Sequence, residues 1–490
     1  MIVGAAQVLC RDAHEDEPRE PVALIAEAVR LALEDSGANE RLLGSTDSVR
    51  CVPVIGWHYP DAAALVAEDL GLHPRQTVQS AAIGGDGPQV LLNDTARAIA
   101  AGELDVALLG GGEAGGSMRA AQLAGRTPPW RRQGDEVRPT QTLGEDRAPL
   151  NAAEVAAGLG PPVFMYALIE SALRADAGTA PDVHLRNIAG LWSRLSRTAS
   201  GNRSAWIRRE FTPEEIATPA PENRLVSAPY TKLLTANIQV NMATGLIVTS
   251  AQAAERARVP RDRWVFIHAG ARADDEWHVS ERDRLAGSPA IDAVGRAALQ
   301  HAQLVIDDVA HVDLYSCFPS AVQIAAAELG LPIDDPARPL SVTGGLTFAG
   351  GPGNNYSGHA IATLAHRLRE KPDAFGLVTA VGWYLTKHAI GVYSGRPPVK
   401  PFAFLEPQTQ RRQARRARAD YVGTATVEAY TVTYGRECTP ESAIVSALTP
   451  HGERALLSTR DDELIDVLLA DELAGSAISI DAGQRILLAP

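Results

Sequence analysis

The sequence predicts an α/β fold in which a largely parallel sheet is covered by helices. Residues 1–125 and 263–396 both alternate short apolar runs with Ala-rich amphipathic helices, which is typical of this class. The second stretch also repeats the first, because 28–33 align with 294–299 and the strand from Asp105 aligns with the strand from Gly376. We therefore expect two similar halves that form one core.

Apolar periodicity defines the elements of the two halves. In the first half it predicts a strand over 1–7, helices over 20–35 and 91–101, and a strand from Asp105 to Leu109. Gly102 follows the second helix as a C-cap. In the second half it predicts strands over 264–267, 312–315 and 376–380, and helices over 291–304, 320–329 and 358–368.

The remaining segments have a different texture. Residues 126–262 are polar and Pro-rich, with helical patterns over 163–175 and 182–197, and we interpret them as a long insertion rather than more sheet. A Pro- and Arg-rich linker over 397–420 follows, and its run Arg411–Arg418 is interpreted as a solvated helix or, alternatively, as a docking segment for a phosphate or for the acidic terminal domain.

Residues 421–490 predict a small β-rich domain. Thr, Val and Tyr alternate at period two over 421–434, strands follow over 443–448 and 454–458, and an acid-capped helix covers 461–470. From Asp420 onward, 4 Arg and no Lys face 12 Asp and Glu, a balance of −8. This charge argues against a nucleic-acid-binding barrel.

Composition narrows the function classes further. The chain has 490 residues and a formal net charge of −13, which argues against nucleic acid as its main partner. Cys10, Cys51, Cys317 and Cys438 form no CxxC pair, which excludes a disulfide scaffold and argues against a metal site. No signal segment or apolar run of 18 residues appears, so we expect a cytoplasmic protein without membrane insertion.

Four ordered stretches resemble motifs of the thiolase superfamily. They are AIAAGELDVALLGGGE at 98–113, LYSCF at 314–318 with ELGL at 328–331, GGLTFAGGP at 344–352, and TAVG at 379–382. The chain resembles that superfamily over residues 1 to about 396, in its sterol-carrier-protein-type branch. Residues 420–490 resemble the C-terminal addition of thiolase-like proteins of type 1.

The resemblance implies a five-layered αβαβα core with the insertion as a loop domain that receives coenzyme A. It implies acyl-CoA as partner, a CoA thioester as substrate or ligand without a tightly bound cofactor, a role in lipid metabolism, and a homodimer formed through the core.

The same motifs lack the side chains that thiolase chemistry uses. A thiolate attacks the carbonyl, a GHP histidine activates it, and a second thiol moves the α-proton. Residues 79–89, where the nucleophile belongs, contain no Cys and offer only Ser80. Gly351 stands at the GHP histidine, Ala380 at the second thiol, and Tyr315-Ser316 at the histidine and aspartate of HDCF. A cysteine acyl-enzyme is therefore not expected.

Tyr315, His359 and His388 are the candidate catalytic residues. Tyr315 replaces a proton-handling group at a strand end, and it can donate to an enolate or act as a base if Lys387 or His388 lowers its pKa. The alternative is a tyrosine that fills vacated volume. His359 lies in the first turn of a helix and either faces the pocket or belongs to the surface or the core.

Gly351, Pro352, Asn354 and Gly382 are the candidate substrate-binding positions. The two glycines leave room and backbone N–H groups, while the pair Asn354-Asn355 either caps the following helix, which we favour, or binds a polar group. Cys317 is interpreted as a buried core thiol.

Three functions remain open at this point. The first is an acyl-CoA-binding protein that, if catalytic, makes or cleaves a C–C bond without a covalent intermediate, by retro-aldol or Claisen-type chemistry. The second is a non-catalytic acyl-CoA-binding pseudoenzyme or scaffold. The third is an active thiolase that uses Ser80 or Cys317 after rearrangement.

Overall fold

The computed structural model describes residues 1–11, 18–410 and 413–488. The strands, in chain order, are β1 (Ile2–Leu9), β2 (Ser48–Cys51), β3 (Gln76–Ser80), β4 (Val106–Ala114), β5 (Gln141–Leu143), β6 (Leu225–Ser227), β7 (Tyr230–Thr231), β8 (Asn241–Thr249), β9 (Phe266–Asp274), β10 (Val309–Asp313), β11 (Phe375–Gly382), β12 (Lys387–Ser394), β13 (Phe404–Leu405), β14 (Ala417–Arg418), β15 (Gly423–Tyr434), β16 (Pro440–Leu448), β17 (Arg454–Thr459), β18 (Ala477–Ile480) and β19 (Ile486–Leu488). The α-helices are α1 (Pro21–Asp35), α2 (Asn39–Leu43), α3 (Ala62–Asp69), α4 (Gly87–Ala100), α5 (Gly115–Leu123), α6 (Ala152–Ala156), α7 (Pro162–Asp176), α8 (Pro181–Gly201), α9 (Pro213–Ala217), α10 (Ala251–Ala257), α11 (Pro289–Ala302), α12 (Pro319–Leu329), α13 (Gly345–Phe348), α14 (Tyr356–Glu370) and α15 (Asp462–Ala470).

Two sheets that share a four-stranded core of the same topology, β1-β8-β4-β2 and β9-β12-β11-β10, confirm the predicted repeat. The first has the order β1-β8-β4-β2-β3-β5 and the second the order β10-β11-β12-β9-β13. In both, the first strand of the half pairs antiparallel with its neighbour, as in Ala5↔Leu246 and Ala271↔Ile390. The next pair along is antiparallel and the one after it is parallel, in β4–β2 and in β11–β10.

The layers follow from which faces are apolar. Helices α4 and α14 lie between the sheets, and Leu92 and Ile361 share one buried cluster with Val248 and Val378. Helix α1 packs on the outer face of the first sheet and α11 on that of the second. Because every layer is buried against the next, the five-layered αβαβα core is confirmed.

The inserted segment returns to the first sheet before residue 262. Strand β8 lies within the range predicted as an insertion, yet it pairs with both β1 and β4. All nine of its residues are buried, so it shows no alternation of polar and apolar residues that would identify a strand by period.

The terminal β-rich domain is joined to the inserted segment. Its sheet has the order β14-β17-β16-β15-β18-β19, and β6 adds to β15 through Thr433↔Ser227. Part of the linker also docks here: β14 pairs with β17, and Arg415 donates to the Asp283 and Gly452 carbonyl oxygens. The expected solvated helix is therefore wrong for 413–418, while Arg411 and Arg412 lie outside the described residues.

Short strands cover one edge of each core sheet. β5 pairs with β3, and β13 pairs with β9. Edge strands of three and two residues offer only a short row of N–H and C=O groups to a second chain. None of the helices in the described part of the chain combines the length and the apolar character that crossing a membrane requires.

Candidate functional site

A cavity of about 370 Å³ lies at the start of helix α4. The resemblance implies the active site at this turn. It is lined by the turn before α4, by the ends of β9 and β12, and by the segments 143–145 and 406–409. The charged or titratable side chains that line the cavity include Asp86, Lys387 and His388. The predicted site residues Tyr315, His359 and Gly351 do not line it.

Asn354 holds the turn that leads into α4. Its Oδ1 accepts from the Gly84 N–H at 2.8 Å, and its Nδ2 donates to the Pro53 and Ala82 carbonyl oxygens, both at 2.9 Å. Asn355 instead binds Gly111 and Thr244, and neither side chain caps α14. The favoured capping role is therefore wrong, because these amides are consumed by cross-links between the two halves.

An ion pair fills the space beside this turn. Lys387 Nζ lies 3.2 Å from Asp86 Oδ1 and donates to the Ile83 carbonyl oxygen at 2.9 Å. Both side chains are about nine-tenths buried. Asp86 Oδ1 has no partner with hydrogen-bond geometry among the described residues, so the lysine offsets its charge by proximity alone.

Glycines make room for this pair. A Cβ at Gly382 would lie 2.2 Å from Asp86 Oδ1, and a Cβ at Gly84 would lie 2.5 Å from Lys387 Nζ. Gly382 thus leaves space for this ion pair, and its predicted role in substrate binding remains untested. A charged pair therefore fills the space beside the turn in which the resemblance implies a nucleophile.

A strained hairpin carries Lys387 and His388. Trp383 and Leu385 have φ values of 55° and 54°, which non-glycine residues adopt rarely. Tyr166 of α7 holds the turn, since its hydroxyl donates to the Trp383 carbonyl and accepts from the Leu385 N–H. The inserted segment therefore fixes the position of the two cavity residues.

Tyr315 is buried beside the turn that leads into α4. A Cβ at Gly85 would lie 2.0 Å from its hydroxyl, so the phenol packs directly against that glycine. Burial raises the pKa of Tyr315 well above its ordinary value, and Cys317 and Asp86 add to the effect. The expectation that Lys387 or His388 lowers this pKa is wrong, because Asp86 takes the ammonium.

His359 lies in the interface between α14 and β1. Its Nδ1 contacts Gln7 Oε1 at 2.8 Å, and its Nε2 has no partner among the described residues. Burial lowers the pKa of His359 to about 3, so the ring is neutral. Its predicted catalytic role remains untested, and its place in the fold corresponds to the core alternative.

Gly351 and Pro352 are buried in the loop before α14. The Gly351 N–H donates to the Asn237 carbonyl oxygen at 2.8 Å. That N–H is therefore unavailable to an oxyanion in this conformation.

Neither remaining nucleophile is activated. Ser80 Oγ donates to the Ala81 carbonyl oxygen, with no base beside it among the described residues. Burial raises the pKa of Cys317 to about 12, which keeps it a thiol. Next to it, Phe318 stacks on Tyr166 and on Tyr230, with ring centroids 4.5 and 5.6 Å apart. The contact between the second half and the inserted segment is therefore a packed aromatic core.

The rim of the cavity carries both signs of charge. Arg272 pairs with Glu406 at 2.5 Å, and the exposed Arg147 stacks on the ring of Trp277 at 4.9 Å. Burial and the charge of Asp86 raise the pKa of Asp274, even though its side chain is open to the cavity. Within the described residues, no three His, Cys, Asp or Glu side chains are placed to hold a metal ion.

The terminal domain matches a known family model. Residues 405–484 match the thiolase-like protein type 1 additional C-terminal domain. A crystal structure of a monomeric SCP2-thiolase like protein type 1 from Mycobacterium smegmatis superposes with a TM-score of 0.83 at 30% identity, covering 100% of this chain and 98% of that chain. The chain belongs to the thiolase superfamily.

Two more distant structures share the fold. The Ltp2-ChsH2(DUF35) aldolase matches at TM-score 0.59 and 19% identity, covering 81% of this chain and 97% of that one. Human mitochondrial 3-ketoacyl-CoA thiolase matches at 0.56 and 16%, covering 80% and 98%. No curated protein sequence matches the chain.

The relative from Mycobacterium is described as a monomer. The resemblance implied a homodimer through the core, and neither this thiolase-like relative nor the covered sheet edges support one.

Sequence reasoning missed Asp86, Asp275 and Arg147. Asp86 was visible as the single charge in the glycine-rich turn GGDG. Asp275 and Arg147 carried no comparable signal, since their roles depend on partners more than 100 residues away.

Proposed function

We propose that this thiolase-superfamily protein binds a CoA thioester and does not form an acyl-enzyme. The observation that carries the proposal is the occupied turn before α4, where glycines face the Asp86–Lys387 pair and the Tyr315 phenol in place of a thiol. The thioester carbonyl would enter the neighbouring cavity and accept a hydrogen bond from Lys387.

Two features of the cavity favour such a ligand. Its volume of about 370 Å³ accommodates an acyl group with part of a pantetheine arm. At the rim, the exposed Arg147, which lies over the ring of Trp277, offers a cation that suits a phosphate. The cavity itself is lined by the carboxylates Asp86, Asp274 and Glu406, which would repel the phosphate groups of the ligand.

The stacked aromatics favour a second candidate, a pseudoenzyme that binds without turnover. Tyr166 and Tyr230 of the inserted segment stack on Phe318, so packed aromatic rings rather than an open passage lie at this contact. Both candidates require binding of the thioester, and only the first allows a reaction on it. Tyr315 stays a predicted hydrogen-bond donor to an oxyanion, with its phenol protonated.

Calorimetry with acetyl-CoA, followed by intact-mass measurement, tests the proposal. We expect saturable binding and an unchanged protein mass. Arg147→Gln should weaken binding about tenfold because one charge-assisted contact is lost. Arg186→Gln, an exposed arginine on α8, is the matched control and should bind as the wild type does. An acetyl adduct, or no binding, would refute the proposal.

A further inference from the structure

A second cavity, of about 250 Å³, lies between the inserted segment and the terminal domain. It is enclosed by α7, the start of α8, the turn between β6 and β7, strand β15 and the C-terminal end of α15. It shares no lining residue with the cavity before α4. A ligand held here would therefore occupy a separate site.

A glutamate–histidine pair forms part of the lining. Tyr230 donates to Glu170 Oε2 at 2.5 Å, and Gln323 Nε2 donates to Oε1 at 2.6 Å. Burial raises the pKa of Tyr230 well above its ordinary value, and the charge of Glu170 adds to the effect, so the phenol keeps the proton that it donates. Because both of its oxygens accept, Glu170 is a carboxylate. His184 Nε2, 2.5 Å from Oε1, then carries the hydrogen of a neutral ring.

The second nitrogen of His184 is left as a hydrogen-bond acceptor. Nδ1 has no partner among the residues that the structure describes, and it is not one of the fully enclosed polar atoms, so it retains accessible surface. His184 is only 6% exposed and lines the cavity, so a donor would reach Nδ1 from there. The histidine therefore favours a ligand with an N–H or O–H group.

The charges around the cavity favour an ammonium among such donors. Three carboxylates line it, those of Glu170, Asp471 and Glu472. The one guanidinium, that of Arg174, pairs with Glu472. With a neutral His184, the lining side chains carry a balance of −2. Helix α15 also ends at the cavity, and the last carbonyl groups of a helix carry partial negative charge.

The rest of the lining is largely apolar. It includes Pro181, Ala228, Pro229, Val432 and Leu468. Walls of this kind beside a few polar groups suit a ligand with a short alkyl chain.

We propose that this cavity binds a small primary ammonium ion with a short alkyl chain. One N–H donates to His184 Nδ1, the positive charge lies in the field of Asp471 and Glu472, and the chain contacts Val432 and Leu468. Because the ligand touches both the inserted segment and the terminal domain, it stabilises their contact. The inference is independent of the proposed function.

Three ligands with the same chain test the charge. Butylammonium, butanol and butyrate are titrated at pH 7.5 and followed by saturation-transfer NMR. We expect butylammonium to bind with a Kd on the order of 1 mM, butanol about tenfold more weakly, and butyrate not measurably. Binding of butanol or butyrate as tight as that of butylammonium would overturn the ligand class, and no binding of butylammonium would overturn the site.

Two variants locate the site. His184→Gln should weaken butylammonium binding about tenfold. Ala470→Trp, at an exposed lining position at the end of α15, should weaken it at least as much by filling the cavity without altering the buried pair. His451→Gln, an exposed histidine of the terminal domain, is the matched control and should bind as the wild type does. Wild-type affinity in Ala470→Trp would place the ligand elsewhere and overturn the proposal.

The histidine itself provides a direct reading. In protein labelled with ¹⁵N-histidine, His184 should show a protonated Nε2 and an unprotonated Nδ1, and butylammonium should shift the Nδ1 resonance. An unchanged Nδ1 resonance at saturating butylammonium, or the opposite tautomer in the free protein, would contradict the assignment.

Discussion

The glycines around the Asp86–Lys387 pair show how single positions determine this site. Gly85→Ala would place a Cβ 2.0 Å from the Tyr315 hydroxyl and 2.7 Å from the Val381 carbonyl oxygen. Neither the ring nor the backbone yields easily, so we expect a loss of about 2 kcal/mol in the free energy of unfolding, measured in urea. Gly201→Ala meets open space and should change little. Equal effects would contradict the close contact.

Lys387 and Asp86 should be coupled in stability. Lys387→Met leaves a buried carboxylate without its cation, and we expect a cost of about 3 kcal/mol. Adding Asp86→Asn should recover most of that loss. A double-mutant cycle in urea measures the coupling, and additive effects would mean that the pair is not an energetic unit.

The buried His359 should make the free energy of unfolding depend on pH. Its pKa is about 3 in the folded chain and about 6.5 when unfolded. The unfolded state therefore binds more protons below pH 6.5, and stability is lost as the pH falls from 6.5 toward 3. Between pH 7.5 and 5 this residue should cost about 2 kcal/mol. His359→Gln should lose less stability over this range, and an identical pH dependence would contradict a buried neutral ring.

At the scale of elements, the loop before α14 and the turn before α4 act together. Asn354→Ala removes three hydrogen bonds and leaves the Gly84 N–H buried without a partner. We expect a loss of about 2 to 3 kcal/mol and faster amide exchange over 82–85. If Asn354 were a helix cap, exchange would instead rise in the first turn of α14.

The predicted elements show what local pattern can establish. Helix α1 and strand β15 were predicted within two residues of their ends, because amphipathic period and alternation are local properties. The placement of β8 was not predictable, since a strand buried on both faces has no period. The motifs led to the turn before α4, but the partners of Lys387 and His388 depend on tertiary contacts.

At the scale of the whole molecule, Arg454 joins the terminal domain to the core. Its fully buried guanidinium donates to the Ser280 and Arg282 carbonyl oxygens and pairs with Glu428. Arg454→Ala would strand Glu428, so we expect a loss of about 3 kcal/mol and protease cleavage in the 405–420 segment. Exposed Arg460→Ala is the control. Unchanged protection in Arg454→Ala would show that the domain is held elsewhere.

The covered edges of both core sheets bear on assembly. With β5 on β3 and β13 on β9, we expect a monomer of 52.0 kDa by light scattering. A stable species of twice that mass would show that another surface mediates self-association.

The central claim is that a CoA thioester reaches the cavity before α4, and blocking that cavity tests it most directly. Asp274 lines the cavity with an exposed side chain, so Asp274→Trp should fill it without disturbing the core. In calorimetric titration with acetyl-CoA, we expect the wild type and the control Glu437→Trp, on the terminal domain, to bind alike, and Asp274→Trp to bind at least about tenfold more weakly. Equal affinity in all three proteins would place the ligand elsewhere and contradict the account.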